Sequence, residues 1–152
     1  MPYHFTKANQ AELLERAKSL TNCAGWAPDA VAFAAREKGE EDIRAVAVFE
    51  YFNGGDADIH FATIGQRMGP RLVDAYLKLA FHPNFMALNR VFAPIAASNI
   101  VAQRVALAAG FQFEFRKRGG AAGGEDAIVM SITPQSKGLA AAKGLNTTQH
   151  QV

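Results

Sequence analysis

The residues best suited by type and spacing to chemistry form one short turn. Gln66-Arg67-Met68-Gly69-Pro70-Arg71 sits between an apolar run at 59–64 and a helical pattern at 71–81. A glycine-bearing turn at a helix start gathers unpaired backbone N–H groups around one point, with the positive end of the helix dipole behind them. That arrangement favours a phosphate or pyrophosphate. Arg67 and Arg71 are the natural cationic partners, and Arg71 can add charge-assisted hydrogen bonds. Pro70 removes one N–H donor yet suits the first position of a helix. An ordinary strand-to-helix connection would also carry these residues, so the surrounding elements have to give the turn its meaning.

Those elements read as follows. Residues 3–5 form a short strand, and Thr6 caps a helix over 7–20 with Ala11, Leu14 and Ala17 on its apolar stripe. A loop at 21–29 is anchored by Trp26. Three strands at 30–35, 43–52 and 58–63 follow, joined by the charged turn 36–42 and by Asn53-Gly54-Gly55-Asp56; they predict an antiparallel meander. A helix over 71–81 buries Leu72, Ala75, Tyr76, Leu79 and Ala80, and Pro83 ends it. The strand at 88–96 returns through that helix and so needs a parallel neighbour. Asn99 caps a further helix with Val101, Ala102, Val105 and Ala109 facing inward, and Gly110 ends it. In the strand at 111–117, Phe111, Phe113 and Phe115 alternate with polar residues, predicting one core face and one wet face. After a glycine-rich loop the strand 127–132 closes the sheet, and 134–152 reads as a disordered tail to a domain spanning 1–133.

Composition bounds the rest. With 152 residues, 49% hydrophobic and 20% charged, the chain suits one globular domain. A net charge of +2 permits an anionic ligand without demanding nucleic acid. The single cysteine, Cys23, excludes an internal disulfide and a CxxC metal site, and His4, His82 and His150 lack metal-ligand spacing, so no metal is expected. No leader peptide or membrane-spanning run is visible, and a cytoplasmic protein with no membrane partner is the expectation.

Over residues 31–132 the chain resembles the GNAT N-acetyltransferase superfamily. The resemblance rests on Asn99, Ala102, Gly110 and Phe111, which stand in the family's register of Asn, a small residue three on, and Gly-Phe eleven and twelve residues on. It rests also on Gln66 and Gly69 in the phosphate turn, where Arg71 replaces the family's second small residue. The family often carries a tyrosine seven residues after the asparagine as general acid; here that position is Ala106. The branch that acetylates ribosomal proteins and other protein N-termini often lacks this tyrosine too, and residues 71–116 look most like that branch.

The resemblance implies a mixed α/β (α+β) fold, with a mostly antiparallel central sheet of six to seven strands flanked by three to four helices. It implies acetyl-CoA (coenzyme A) as cofactor and direct acyl transfer to an amine, whether a protein N-terminus, a lysine or a small molecule. Splayed strands at 58–63 and 88–96 would admit the pantetheine arm. Backbone groups of Phe61, Ala62, Thr63 and Ile64 would polarise the thioester carbonyl, and Gln66, Arg67, Met68, Gly69 and Arg71, with Asn99, would complete the cofactor site. Glu50 and His60, on adjacent strands, are the candidates for the base, and Ser98 for a donor to the leaving thiolate. A packed, hydrogen-bonded sheet histidine would explain His60, and a solvent-facing strand residue would explain Glu50. Two further readings share the fold: a Mom-type DNA-modifying enzyme, for which Arg116-Lys117-Arg118 is the basic cluster, and a non-catalytic binding module. A homodimer is compatible with all three.

Overall fold

The computed structural model describes residues 3–65 and 69–137. Seven strands form one sheet in the order β1-β2-β3-β4-β5-β7-β6. They are β1 (Tyr3–Thr6), β2 (Val31–Glu37), β3 (Ala45–Asn53), β4 (Asp56–Thr63), β5 (Arg90–Ala96), β6 (Gln112–Lys117) and β7 (Ala127–Ile132). Every pairing is antiparallel except β4 with β5. Against the sheet lie three α-helices, α1 (Gln10–Thr21), α2 (Pro70–Phe81) and α3 (Ile100–Ala109), with a short 3-10 turn at Ala122–Gly124 and a helical turn at 134–137 among the described residues. The mixed, mostly antiparallel sheet expected from the sequence is the observed one.

Helices cover both faces of the centre of the sheet, and this explains why Ala45–Glu50 on β3 is buried at every residue. On one face α1 seals Leu13 and Ala17 against Ala32, Ala34, Val46, Val48 and Ala62. On the other, α2 and α3 pack Leu72, Val73, Tyr76, Leu77 and Ala106 against Ala47, Phe49, Ile59, Val91 and Met130. Local signals fix the ends of the elements. Gly55 lets β3 and β4 turn beneath Asn89, whose side chain a Cβ would strike at 2.2 Å. Asn99 Oδ1 accepts the Ala102 N–H at 3.1 Å. Gly110 closes α3 at φ 106, with the Phe111 N–H returning to the Ala106 carbonyl.

Several expectations need correcting. Helix α1 starts at Gln10 behind Asn9, not behind Thr6, whose Oγ1 instead accepts the Ala8 N–H from the end of β1. On α3 only Ala106 is fully buried, and Val101 is exposed. The Phe113/Phe115 alternation does not make a core face, because β6 is the sheet edge and is exposed along its whole length. A bulge between Phe113 and Phe115 also breaks the period. Only Phe111, just before the strand, is buried. Of the expected tail, 134–137 form a helical turn whose Lys137 pairs with Asp74 at 2.5 Å, and 138–152 lie outside the described residues. No helix among the described residues is long and apolar enough to cross a membrane.

Tyr76 ties the two layers together. It is fully buried, its hydroxyl donates to the carbonyls of Phe33 at 2.9 Å and Ala45 at 3.3 Å, and its ring packs on Phe5 and Phe61. Tyr76→Phe removes the donor and strands buried carbonyl oxygens. It should lower unfolding free energy by about 1–2 kcal/mol in urea titrations, with the secondary structure unchanged by circular dichroism.

Candidate active site

The site starts where a ladder stops. β4 and β5 pair at only three positions, Asp56↔Arg90, Ala57↔Val91 and Asp58↔Phe92. Beyond them the strands part, although each stays fully paired with its other neighbour, β3 and β7. Pro94 lies on this stretch of β5. The Ala97 N–H donates to Asp126 on the β7 side, so by strand alternation the nitrogen of Pro94 faces β4, and it carries no hydrogen. The same alternation applies to β4. Ile64 N–H donates to Arg44 toward β3, so the N–H groups of Phe61 and Thr63 point into the gap, where no strand receives them.

The gap opens into a cleft of about 590 Å³ that crosses the sheet. On the α2/α3 side its wall includes Val73, Asn99, Ala102, Val105 and Ala106; on the α1 side it includes Leu20, Thr21, Cys23 and His60. Small residues (Ala62, Ala93, Ala96, Ala102, Ala106) keep it open. Helix α2 begins at this wall, with Gly69 as its cap, Pro70 at the first position and Arg71 exposed. The Val73 N–H makes the first intrahelical bond, to Gly69, which leaves the Arg71 and Leu72 N–H groups unpaired within the helix. Gln66, Arg67 and Met68 lie outside the described residues.

Glu50 and His60 meet on the α1 face. His60 Nε2 lies 2.8 Å from Glu50 Oε2, an ion-pair contact in which the ring N–H is not squarely aligned on the oxygen. Glu50 is 5% exposed, and its second oxygen accepts the Ala27 N–H at 2.8 Å. Burial alone would raise the Glu50 carboxyl, but His60 and the Ala27 N–H outweigh it and hold the group below its usual value. Asp58, directly across from Glu50 in the ladder, is pushed up, first by burial; the Glu50 charge adds to this while His60 and Lys117 oppose it. The Trp26 ring sits 5.4 Å from His60 and is itself held by its Nε1–H donating to the Leu14 carbonyl. His60 borders the cleft and Glu50 stands behind it. The pair can therefore take a proton from a molecule in the cleft and hold the resulting charge against a carboxylate.

Other candidate residues fall elsewhere. Phe61, Ala62 and Thr63 line the cleft, and Asn99 borders it while capping α3. Ile64 follows β4 with its N–H bonded back to Arg44. Ser98 does not line the cleft; its backbone N–H donates to Glu125 at 2.6 Å. In the basic cluster, Arg116 is neutralised by Asp126 at 2.8 Å. Sequence reasoning missed three contributors. Pro94, inside an otherwise Val/Phe-rich strand, was the legible signal for the splay. Ala27 and Asp58 act through position and burial, which no local motif announces.

No family model matches the chain, and no curated protein matches it in sequence. Solved structures do match. Mutant forms of the spermidine/spermine N-acetyltransferase SpeG from Vibrio cholerae superpose with a TM-score of 0.76 at 12% identity, over 92% of this chain and 98% of that one. The spermidine N-acetyltransferase from Vibrio cholerae in complex with CoA and spermine gives 0.71 at 12% identity, over 90% and 98%. A chimera of the Vibrio cholerae enzyme and hSSAT gives 0.73 at 14% identity, over 91% and 99%.

Two outcomes test this geometry. Because the folded Glu50 value is depressed, its contribution to stability is present above the ordinary carboxylate value and is lost as pH falls through the folded one. In Glu50→Gln the decline in melting temperature below about pH 4.5 should be shallower than in the parent protein. Pro94→Val supplies a donor facing β4, so the ladder should extend and amide hydrogen exchange at Phe61 should slow. Unchanged exchange would mean that something other than the proline holds the strands apart.

Proposed function

We propose that this chain, which has the fold of the GNAT N-acetyltransferases, is an acyl-CoA-dependent N-acyltransferase that passes an acetyl group directly to an amine. The carrying observation is the gap between β4 and β5, with two N–H groups on its edge that no strand among the described residues receives, and with His60 on its wall backed by Glu50.

Acetyl-CoA, when bound, supplies a thioester carbonyl as acyl donor. The fit is argued from the chain's own groups. The gap admits an extended arm, small residues leave room for it, and the N-terminus of α2 with Arg71 offers N–H groups and positive charge for phosphates. Phe61 and Thr63 N–H stand where an oxygen gaining negative charge can be stabilised, and they are already oriented by the β3 ladder. His60 takes the proton of the incoming ammonium. Glu50, buried and fixed at both oxygens, orients the ring and balances its charge. Asp58 and Glu50 together make the α1 side of the cleft attractive to a cation. This favours a small, positively charged amine as acceptor, in keeping with the spermine held by one structural neighbour. A protein N-terminus of the kind suggested by residues 71–116 would enter by the same side.

Calorimetric titration with acetyl-CoA is the test. Micromolar binding lost in Arg71→Glu is expected. His60→Ala should keep that binding while amine acetylation falls about 10²- to 10⁴-fold. Absence of binding to any acyl-CoA would overturn the transferase reading in favour of a binding module.

A further inference from the structure

The residues that hold Glu50 come from one loop far away in sequence, and Asp29 is the member that binds it most firmly to the sheet. Its two carboxylate oxygens accept consecutive backbone N–H groups, Tyr51 at 3.0 Å and Phe52 at 2.8 Å. These are the residues immediately after Glu50. Here β3 bulges: the ladder skips from Glu50↔Asp58 to Asn53↔Asp56, so two residues of β3 face one of β4. Tyr51 takes φ 55, left-handed backbone that a non-glycine residue adopts at a cost. Its side chain is 62% exposed, so packing does not offset that cost. The carboxylate does: it is the partner that keeps both N–H groups turned out of the ladder.

We propose that Asp29 is a positioning residue whose grip on the β3 bulge aims Glu50 at His60. The loop reaches the pair at three points. Trp26 lies against the His60 ring, the Ala27 N–H holds one Glu50 oxygen, and Asp29 fixes the backbone that follows Glu50. The direction of a side chain depends on the backbone that carries it, and at this bulge the backbone is set from outside the sheet. This role rests on the reading of His60 as the base, and Asp29 acts only through Glu50.

Asp29→Asn keeps the shape but presents an NH₂ group to one of the two N–H donors, so it breaks the double grip. The first readout needs no activity: the Glu50 carboxyl followed by ¹³C NMR across pH. The charged and polar groups facing Glu50 are His60 and Asp58 on β4, and Asp29 and the Ala27 N–H on the loop. If Asp29 positions Glu50, the variant's Glu50 midpoint rises toward the ordinary carboxylate range as its contacts loosen. If Asp29 is only a neighbouring negative charge, its removal lowers the midpoint, and the proposal falls. An unchanged midpoint overturns it as well. The second readout is kinetic. With a cationic diamine as acceptor, kcat should drop about 10- to 100-fold while the KM for acetyl-CoA holds within about twofold. Adding Tyr51→Gly should restore most of the loss, because glycine takes the left-handed conformation without the carboxylate. Absence of rescue would overturn the positioning role. A parent protein inactive on every amine would defeat the transferase reading instead, and the Glu50 titration would still decide this one.

Discussion

Two strands that stop hydrogen-bonding to each other inside a sheet leave polar backbone groups without partners, and the candidate site is arranged around that interruption. An unmade buried hydrogen bond costs on the order of 1–3 kcal/mol, so a gap between β4 and β5 persists only if closing it is blocked and both strands are secured elsewhere. Pro94 removes one donor that closing would use. The β3–β4 ladder and the β5–β7 ladder provide the security, running the length of the strands on either side. The opening is thus rigid, and its N–H groups are aimed before anything binds.

Because the opening passes through the sheet, it joins two faces of different character. The α2/α3 face is apolar, walled by alanines and valines, and ends at the positive start of α2. The α1 face carries the titratable cluster of Glu50, Asp58 and His60. In the proposed reaction, a long anionic donor and a short cationic acceptor would therefore approach from opposite sides without competing for surface. The β-strand period of two achieves this separation: Ile59 and Phe61 point one way, and Asp58, His60 and Ala62 the other.

What could be read from the sequence was local. Asn99 and Gly110 bracket α3 with cap chemistry that needs only neighbouring residues, and Asn53-Gly54-Gly55 marks its hairpin for the same reason. Meander and crossover follow from element order. The errors arose where distant chain decided the outcome. Phe113 and Phe115 have the period of a buried face, but β6 lies at the sheet edge beyond β7 with no helix over it, and topology overrode the pattern. Glu50 looked like a solvent-facing strand residue; α1 and the 22–30 loop bury it. Its contacts with Ala27 and those of Asp29 with Tyr51 and Phe52 span 22 or 23 residues. No window of sequence displays such a contact.

In the proposed reaction, the lack of a phenol at Ala106 bears on which proton transfer the site would have to manage. An amine acceptor with an ordinary value near 10.4 is almost wholly protonated at neutral pH and cannot attack until it loses a proton. A thiol with a value near 8.5 is a tolerable leaving group as its thiolate at the same pH. The demand for a base therefore exceeds the demand for an acid by about two pK units, or roughly 2.7 kcal/mol at about 1.4 per unit. A site with a buried carboxylate–imidazole pair and no donor at Ala106 would hold the group on which that chemistry leans more heavily. Ala106 is buried against the cleft and small, so the space a phenol would occupy is left to the acyl arm. Under the proposed transferase reading, the alanine would leave deprotonation at His60 as the one assisted step.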